Sequence, residues 1–215
     1  DPVEVGFDIW RNGKKINSEA ITRSTFYVDQ GVDTTQDNHY SLTLSGSNSP
    51  IATFTLRAEA AAKSYITIPE AGEKYNPNDA TVGDLDGDGE YEIVLKRETQ
   101  GYDNSHKGLS PDPLLIEAYR LNGEFLWRID MGPNIRQGAH YTQLSLYDFD
   151  GDGCAELAIR TAEGTVFGDG EKIGDTNNDG ITDYVDRNPQ SGTYGKILAG
   201  PEFLSVVEGT TGREL

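Results

Sequence analysis

The sequence has almost no cysteine. Cys154 is the only one among 215 residues, so no disulfide can form within the chain. A lack of disulfides is by itself typical of proteins from a reducing compartment. No apolar run is long enough to cross a bilayer as a helix, and no secretory signal peptide is recognisable. Because the chain opens at Asp1 without a methionine, we expect that an N-terminal segment has been removed.

Basic residues are also scarce. The chain has 18 Lys and Arg against 36 Asp and Glu, which gives a formal net charge of −18. A surface of this sign repels nucleic acid and anionic membranes, so neither is an expected partner. Outside the acidic loops described next, a solvated acidic surface explains the charge equally well.

Aspartate and glycine, in contrast, are concentrated in three loops of one spacing, at 84–92, 148–156 and 175–183. Each loop has side-chain oxygens at positions one, three, five and nine and a glycine at position six. A short loop wraps a hard cation in this way, because alternate side chains face inward, glycine permits the sharp turn and position seven offers its carbonyl. Such sequences also form ordinary turns without a metal. Three copies in one register favour calcium as the cofactor.

The predicted calcium ligands follow from these positions. Position seven holds Glu90, Cys154 or Ile181, a variation that a backbone ligand permits. The third loop alone adds a carboxylate at position twelve, as EF-hand loops do. The complete predicted set is Asp84, Asp86, Asp88, Glu90 and Glu92, then Asp148, Asp150, Asp152, Cys154 and Glu156, then Asp175, Asn177, Asp179, Ile181, Asp183 and Asp186.

The predicted calcium loops also indicate where the protein is found. Extracellular modules commonly bind calcium weakly, because the ion is abundant outside cells. We therefore predict a secreted protein in which calcium takes the place of disulfides. We also expect the ions, rather than a large apolar interior, to hold the sheets together.

Residues 1–70 are predicted to form an incomplete β-sandwich that resembles fibronectin type III. Apolar and polar residues alternate from Val5 to Ile9, and the Arg-Asn-Gly-Lys segment at 11–14 predicts a hairpin turn. Further strands are predicted at 25–28, 40–44 and 53–56, with a loop at 46–50.

Residues 71–215 contain a repeat of strand, turn and strand. The loop residues Asp84 and Asp148 are 64 positions apart (148 minus 84), whereas the turn glycines Gly123 and Gly212 are 89 apart (212 minus 123). The excess of 25 predicts an insertion in the second copy, where the third loop lies. Such repeats indicate β-propeller blades, and because two blades cannot close a ring, we expect the chain to be a fragment. The strands are predicted at 91–96, 114–121, 124–129, 155–161, 203–208 and 213–215.

Several long segments carry a family resemblance: 77–96 (PNDATVGDLDGDGEYEIVLK), 103–105, 126–130, 134–136, 138–143 and 200–204, with 7–13 near the N-terminus. Together they resemble the rhamnogalacturonan lyases of polysaccharide lyase family 11. The resemblance implies an all-β protein, in which a β-sandwich precedes an eight-bladed propeller carrying many calcium ions. It also implies a pectic substrate, rhamnogalacturonan I, that is cleaved by β-elimination. We expect a monomer.

The chain departs from the family after Lys96. The family continues there with tryptophan and then aspartate, whereas this chain has Arg97 and Glu98. The family's aspartate is among the residues of the substrate cleft, so we expect Glu98 to preserve its charge with a longer reach. The third loop is also longer than the family's segment at this place.

β-Elimination removes the proton on C5 of the uronate and expels the oxygen on C4. It needs a cation on the uronate carboxylate and a base whose pKa is near the working pH. The predicted catalytic residues are His140 and Lys96, and the predicted substrate-binding residues are Asn78, Glu98 and Arg136.

Each of these assignments has a structural alternative. His140 could hold a loop by a hydrogen bond, Lys96 could form an ion pair, and Arg136 could pair with Asp130 instead of binding a uronate. The segment 103–106 could ligate a further ion or cap a loop. The base could also lie outside these 215 residues.

Two other functions remain as alternatives to the lyase. One is a non-catalytic, calcium-binding propeller or carbohydrate-binding module. The other is a dockerin-like module around the third loop, which Pro189 and Gly192 disfavour because a helix would have to run there. We expect the 215 residues alone to be inactive, since an incomplete propeller cannot enclose a cleft.

Overall fold

The computed structural model describes residues 5–60, 65, 67–68, 74–99, 106–138 and 140–215. Over these residues the protein is all-β with antiparallel sheets, as predicted. No helix long and apolar enough to cross a membrane is found in this described part of the chain. The chain divides into two compact units, Asp1–Ile66 and Thr67–Leu215.

The first unit contains one four-stranded sheet in the order β2-β1-β3-β4. Its strands are β1 (Phe7–Arg11), β2 (Lys14–Lys15), β3 (Asn38–Leu44) and β4 (Pro50–Leu56). The predicted hairpin turn is confirmed: Asn12 has φ 48° and Gly13 has φ 77°. Two consecutive residues with positive φ are typical of a type I′ turn, which favours an Asn-Gly pair.

The strand predicted at 25–28 is wrong. The hydroxyl of Ser24 accepts a hydrogen bond from the amide of Phe26 (3.1 Å) and donates one to its carbonyl (2.8 Å). These local bonds occupy the backbone groups that a strand ladder would use. The side chain of Phe26 is 75% exposed, so no packing favours a strand there either.

The second unit begins with a four-stranded sheet in the order β5-β6-β7-β8. Its strands are β5 (Asn76–Gly83), β6 (Glu92–Glu98), β7 (Leu115–Tyr119) and β8 (Phe125–Asp130). The three strands predicted between 91 and 129 are confirmed within two residues at their ends. The first acidic loop connects β5 to β6, as expected of a turn between two strands.

The second sheet of this unit repeats the same order. It contains β9 (Leu144–Tyr147), β10 (Glu156–Ala162) and β11 (Glu202–Val207). The predicted last strand at 213–215 is present as a bridge between Val207 and Glu214 and a bond from the amide of Leu215 to the carbonyl of Val206. The strands β5 and β9, which open the two sheets, contact each other. The predicted insertion is confirmed between β10 and β11, at 163–201.

Antiparallel strands place their connections alternately at two ends of the second unit. One end, which we call the loop end, carries the connections 84–91, 120–124, 148–155 and 208–213. The opposite end, which we call the insertion end, carries 163–201 and the described parts of 99–114 and 131–143. Because β6 has seven residues, the two ends of the first sheet lie about 20 Å apart.

The second unit has a continuous apolar core, contrary to the expectation that ions rather than a large apolar interior hold its sheets together. Buried residues come from both sheets: Leu85, Val94, Leu114, Ile116, Ala118, Trp127, Ile129, Met131, Ile135, Ala155, Leu157, Ile159, Ala162, Phe167 and Val207. Full burial of a large aliphatic or aromatic side chain contributes about 1.5–3 kcal/mol. Trp127 also donates its indole N–H to the carbonyl of Gly209 (2.7 Å), which joins the first sheet to the last turn.

Arg97 is fully buried, and it forms an ion pair with the carboxylate of Glu117, which is also fully buried. Its guanidinium donates to Oε2 of Glu117 (2.7 Å) and to the carbonyl of Tyr75 (2.9 Å). Arg128 donates to the other oxygen of the same carboxylate at 2.8 Å through Nε. A buried charge needs such compensation, and this chain supplies it within β6, β7 and β8.

Candidate functional site

The first acidic loop is folded around the carboxylate of Asp84. Its Oδ1 accepts hydrogen bonds from the amides of Gly87 (2.7 Å) and Asp88 (3.1 Å), and its Oδ2 accepts one from Gly89 (2.8 Å). Gly87 and Gly89 have φ values of 75° and 89°, which favour glycine. The loop is therefore turned as its spacing predicts.

The second loop repeats these bonds. The carboxylate of Asp148 accepts the amides of Gly151 (2.6 Å), Asp152 (3.1 Å) and Gly153 (3.0 Å). The amide of Cys154 donates to Asp152 (2.7 Å), as that of Glu90 does to Asp88 in the first loop (2.8 Å). The two loops are thus equivalent in their backbone.

Three carboxylates converge in each of these two loops. Asp84, Asp86 and Glu92 each offer an oxygen within 4.8 Å of the others, and so do Asp148, Asp150 and Glu156. Glu92 and Glu156 are buried, and each accepts one backbone amide at 2.8 Å, from Leu85 and Phe149. Burial raises the pKa of Glu92, and the charges of Asp86 and Asp88 raise it further. Converging hard oxygens fit calcium.

The first two loops lie side by side at the loop end. The amide of Ala155 donates to the carbonyl of Asp84 at 2.7 Å. Burial raises the pKa of the Cys154 thiol, and the neighbouring Asp152 raises it further, so the thiol stays protonated at neutral pH.

The sequence does not predict that an arginine side chain contacts the carboxylates of the first acidic loop. Arg120 follows β7 and places Nη2 2.7 Å from Oδ2 of Asp86, with Nη1 3.6 Å from Glu92. The register pairs Ile93 with Tyr119 and Leu157 with Val207, so the residue equivalent to Arg120 in the second sheet is Glu208. Nothing in the sequence around Arg120 signals this contact, because it depends on the pairing of β6 with β7.

The third loop has the same turn but a different set of contacts. Asp175 accepts the amides of Asp179 (3.2 Å) and Gly180 (2.8 Å). The hydroxyl of Tyr184 lies 3.2 Å from Oδ2 of Asp179 and from the carbonyl of Ile181. Burial, together with its hydrogen bonds to the carboxylates of Glu163 and Asp179, raises the pKa of Tyr184 to about 12, so it stays a hydroxyl.

Other carboxylates of the third loop have partners of their own. Asp183 pairs with Arg187 (2.6 Å), while Asp186 accepts the amide of Asn188 (3.0 Å) and the hydroxyl of Thr193 (2.6 Å). Among the described residues, three converging acidic or thiol ligands occur in the first two loops and not in the third. An ion here would have to use the amide oxygen of Asn177 or displace these partners.

The predicted catalytic Lys96 is fully buried at the insertion end. Its ammonium lies 2.9 Å from Oδ2 of Asp79, 3.2 Å from the carbonyl of Thr142 and 3.3 Å from that of Gly138. Three acceptors match the three protons of an ammonium. This geometry favours the structural alternative for Lys96, in which it ties β6 to β5 and to the turn at 138–142.

The predicted substrate residues Asn78 and Glu98 lie at the same end. Asn78 and Asp79 form an irregularity in β5, where the register against β6 shifts between Pro77 and Ala80. Glu98 is half-buried and accepts the amide of Gly138 at 3.0 Å. Glu98 and Lys96 therefore hold the same turn.

His140 is exposed on this turn. Its neighbour Tyr141 is held by Arg160, whose guanidinium carbon lies 4.2 Å from the ring centroid and whose Nη2 donates to the Tyr141 carbonyl (2.9 Å). Lys96 and Glu98 thus bond to the backbone of Gly138 and Thr142 on either side of the exposed His140.

Arg136 is buried, and its guanidinium is bonded to backbone carbonyls. Its Nη1 donates to the carbonyl of Gly195, and its Nη2 lies 3.3 Å from the carbonyls of His106 and Gly108. Of the segment 103–106, Asp103 and Asn104 lie outside the described residues.

Residues 61–215 match the family described as rhamnogalacturonan lyase family 11, C-terminal domain, and residues 1–51 match the rhamnogalacturonan I lyase beta-sheet domain. The chain is 42% identical to the rhamnogalacturonan endolyase YesW of Bacillus subtilis (strain 168), over 97% of its own length and 33% of YesW. It is 40% identical to the exolyase YesX of the same organism, over 100% of the chain and 35% of YesX.

Solved structures agree with this likeness. The crystal structure of YesW matches with a TM-score of 0.76 at 40% identity, over 98% of this chain and 36% of that one. A rhamnogalacturonan lyase of Bacillus licheniformis also gives 0.76, at 45% identity, over 100% and 36%. The chain spans about a third of the length of the curated relatives that it matches.

Proposed function

The chain belongs to rhamnogalacturonan lyase family 11, and we propose that it contributes to the cleavage of rhamnogalacturonan I by calcium-dependent β-elimination. The observation that carries this proposal is the identity of 40–42% with two named rhamnogalacturonan lyases along nearly the whole chain. We further propose that the two sheets of the second unit are neighbouring blades of a propeller, because both run outward from the touching strands β5 and β9.

The first two loops would hold calcium as structural ions. Their donors are the carboxylates of Asp84, Asp86 and Glu92, and the equivalent set around Asp148. Bound there, calcium supplies charge compensation for crowded carboxylates. These loops lie about 20 Å from Glu98, so an ion in them cannot reach a uronate bound at the insertion end.

The chemistry itself is assigned to the insertion end. There His140 is exposed, while Lys96 and Glu98 hold its turn in place. A neutral imidazole can take the C5 proton of a uronate as a general base. The amino group of Lys96 is fully buried and is bonded to three acceptors, so it does not face a substrate. Asn78 and Glu98 would contact the sugar.

The proposed location, oligomeric state and partners of the protein follow from its proposed substrate, its calcium loops and its charge. A protein that acts on a plant polymer and uses calcium loops is proposed to be secreted and monomeric, with no nucleic-acid or membrane partner. The supporting observation is the net charge of −18, which disfavours polyanionic partners. The pectic chain is itself anionic, so its binding needs local cations.

The test is cleavage of rhamnogalacturonan I by the full-length gene product in calcium, followed by the ultraviolet absorbance of the new C4–C5 double bond. His140→Ala is expected to lower kcat by about 100-fold or more, and His39→Ala, an exposed histidine of the first unit, to leave it unchanged. Binding of the polymer without any rise in absorbance would favour the non-catalytic module. The 215-residue chain alone is expected to be inactive.

A further inference from the structure

The third acidic loop, at the insertion end, differs from the first two in the groups that face the place of an ion. A loop of this spacing holds its ion among the side chains at positions one, three and five and the carbonyl of position seven. In the third loop these positions are Asp175, Asn177, Asp179 and Ile181. The hydroxyl of Tyr184 lies 3.2 Å from the position-five carboxylate and from the position-seven carbonyl, and 3.3 Å from the position-three amide nitrogen. A side chain of the protein therefore contacts the groups that an ion would contact.

The side chain at position three presents a donor in the third loop. Oδ1 of Asn177 accepts the amide of Asp179 (3.0 Å), as Oδ1 of Asp150 accepts that of Asp152 in the second loop (3.0 Å). Asp150 has a second oxygen to offer and belongs to the converging carboxylates of its loop. The equivalent atom of Asn177 is a nitrogen, which donates to Oδ2 of Asp179 (3.0 Å). An N–H group cannot bind a cation.

The carboxylate at position nine is also bonded differently. In the second loop this position is Glu156, which is buried and joins the converging oxygens. In the third loop it is Asp183, whose Oδ2 accepts Nε (3.0 Å) and Nη2 (2.6 Å) of Arg187. Its Oδ1 accepts the amide of Val185 (3.1 Å). The charge of Asp183 is thus compensated by an arginine of the insertion.

Tyr184 is held in place from outside the loop. Its ring lies against the backbone of Gly200, where an added Cβ would be 2.4 Å from a ring carbon. Its hydroxyl also lies 3.1 Å from Oε2 of Glu163, which is fully buried. The other oxygen of Glu163 accepts the amide and the hydroxyl of Thr176, both at 2.6 Å. The buried carboxylate therefore joins Tyr184 to the start of the loop.

Buried Asn134 fixes the other end of the loop. Its Nδ2 donates to the carbonyls of Glu163 (2.6 Å) and Thr182 (2.9 Å), and its Oδ1 accepts the amide of Tyr184 (2.9 Å). Both N–H donors and the oxygen of this side chain are thus bonded. The third loop therefore has internal hydrogen bonds at both ends and around its centre.

We propose that the third acidic loop is closed by the hydroxyl of Tyr184 in place of calcium, so that it keeps its fold without a metal ion. Calcium would then belong to the first two loops, at the loop end. The insertion end, which carries Asn78, Lys96 and Glu98, would not depend on an ion in the third loop. This proposal concerns the metal alone and does not depend on the substrate.

Calcium titration of the 215-residue chain, followed by NMR, compares the three loops in one sample. The amides of Gly89, Gly153 and Gly180 occupy position six of their loops, and each bonds to the first aspartate. The midpoint at Gly180 is expected at a calcium concentration at least about tenfold above that at Gly153, because an ion must displace hydrogen bonds to a charged group. Equal midpoints at Gly180 and Gly153 would overturn the proposal.

A double variant, Tyr184→Phe with Asn177→Asp, removes both donors and supplies a carboxylate oxygen at position three. It is expected to lower the midpoint at Gly180 by about tenfold or more. An unchanged midpoint at Gly153 shows that the chain is folded. Tyr194→Phe, at another tyrosine of the insertion, is the matched control. A midpoint at Gly180 that is the same in the double variant and in the original chain would contradict the displacement of calcium by Tyr184.

Hydrogen exchange in chelator tests the metal-free loop by itself. The amides of Thr176 and Gly180 are expected to exchange about tenfold faster or more in Tyr184→Phe than in the original chain, because the loop opens locally when the hydroxyl is lost. If these amides exchange equally slowly in both chains, the hydroxyl does not close the loop and the proposal fails. Either result holds whether or not the first two loops bind calcium and the full-length product cleaves the polymer.

Discussion

Arg120 places its Nη2 atom 2.7 Å from Oδ2 of Asp86, among the carboxylates of the first acidic loop. The equivalent position beside the second loop is Glu208, whose charge is opposite. A positive charge near the ligands repels an incoming calcium ion, whereas a negative one attracts it. The two loops, though equal in backbone, should therefore differ in affinity.

Replacing Arg120 with glutamine should raise the calcium affinity of the first loop by about threefold to tenfold, as expected from the loss of one partly screened charge. The amides of Gly89 and Gly153, which bond to the first aspartate of each loop, report the two sites separately in one NMR titration. Arg213→Gln, which removes an exposed arginine paired with Glu208, is the control for net charge. An unchanged midpoint at Gly89 would contradict the prediction.

Chelation of calcium should destabilise the second unit without unfolding it. Each site that is lost removes about 2.7 kcal/mol when free calcium had been 100-fold above Kd, whereas the apolar core around Leu85 and Ile116 persists. Calorimetry with and without a chelator should show a lower Tm for this unit and an unchanged transition for the first unit. If the second unit lost its near-ultraviolet circular dichroism in chelator at room temperature, the apolar core would be insufficient to keep the unit folded without calcium.

Lys96→Met should destabilise the second unit by about 1–3 kcal/mol, the cost expected when buried hydrogen-bond acceptors lose their donor. Asp79 would lose its partner, and the carbonyls of Gly138 and Thr142 would each lose a donor. Urea unfolding of the 215-residue chain measures this. Lys172→Met, at an exposed lysine, should change stability by less than about 0.5 kcal/mol. Equal free energies of unfolding for Lys96→Met and Lys172→Met would contradict a structural role for Lys96.

Gly195→Ala should disrupt the insertion end. Its φ is 81°, and an added Cβ would overlap the backbone of Gly108. Hydrogen exchange at the amides of Gly108 and Gly195 should become much faster, because these amides donate to the carbonyls of Tyr194 and Asp186 beside this contact. Gly192→Ala is the matched control, since a Cβ there meets nothing within 4 Å. Unchanged protection of these amides from hydrogen exchange in Gly195→Ala would mean that the segments around Gly108 and Gly195 can separate without a cost in free energy.

The first unit should lose stability in acid through Asp8. Its hydrogen bond with Lys15 (2.7 Å) holds the pKa of Asp8 below its ordinary value, and Asn17 adds a second bond (3.0 Å). Because the folded pKa is the lower one, this contribution is present above the unfolded pKa of about 3.9 and is lost as the pH falls through the folded pKa. Asp8→Asn should therefore destabilise the unit at pH near 7 and have little further effect in strong acid.

Urea unfolding followed at the amides of β1 and β3 measures this pH dependence. Glu19→Gln, at an exposed carboxylate of the same unit, is the control. A difference between Asp8→Asn and the original chain that grows as the pH falls would show that the sign is wrong.

The sequence by itself determined the features that depend on neighbours along the chain. The bonds that shape each acidic loop join residues three to five positions apart, so a regular spacing of aspartate and glycine is enough to specify them. The hairpin at 11–14 and the insertion after β10 were predictable for the same reason, and long matched segments were sufficient to identify the family.

Only the tertiary structure decided which distant residues meet. Arg120 reaches Asp86 across 34 positions because β6 pairs with β7, and Arg136 reaches Gly195 across 59 because the insertion folds back on the first sheet. The strand predicted at 25–28 failed since Ser24 satisfied the backbone of Phe26 locally. The role of a side chain depends on the groups that it contacts in the folded protein, and the pairing of the strands determines which groups those are. This is why Lys96 and Arg136, predicted as chemical groups, are found with backbone carbonyls as acceptors.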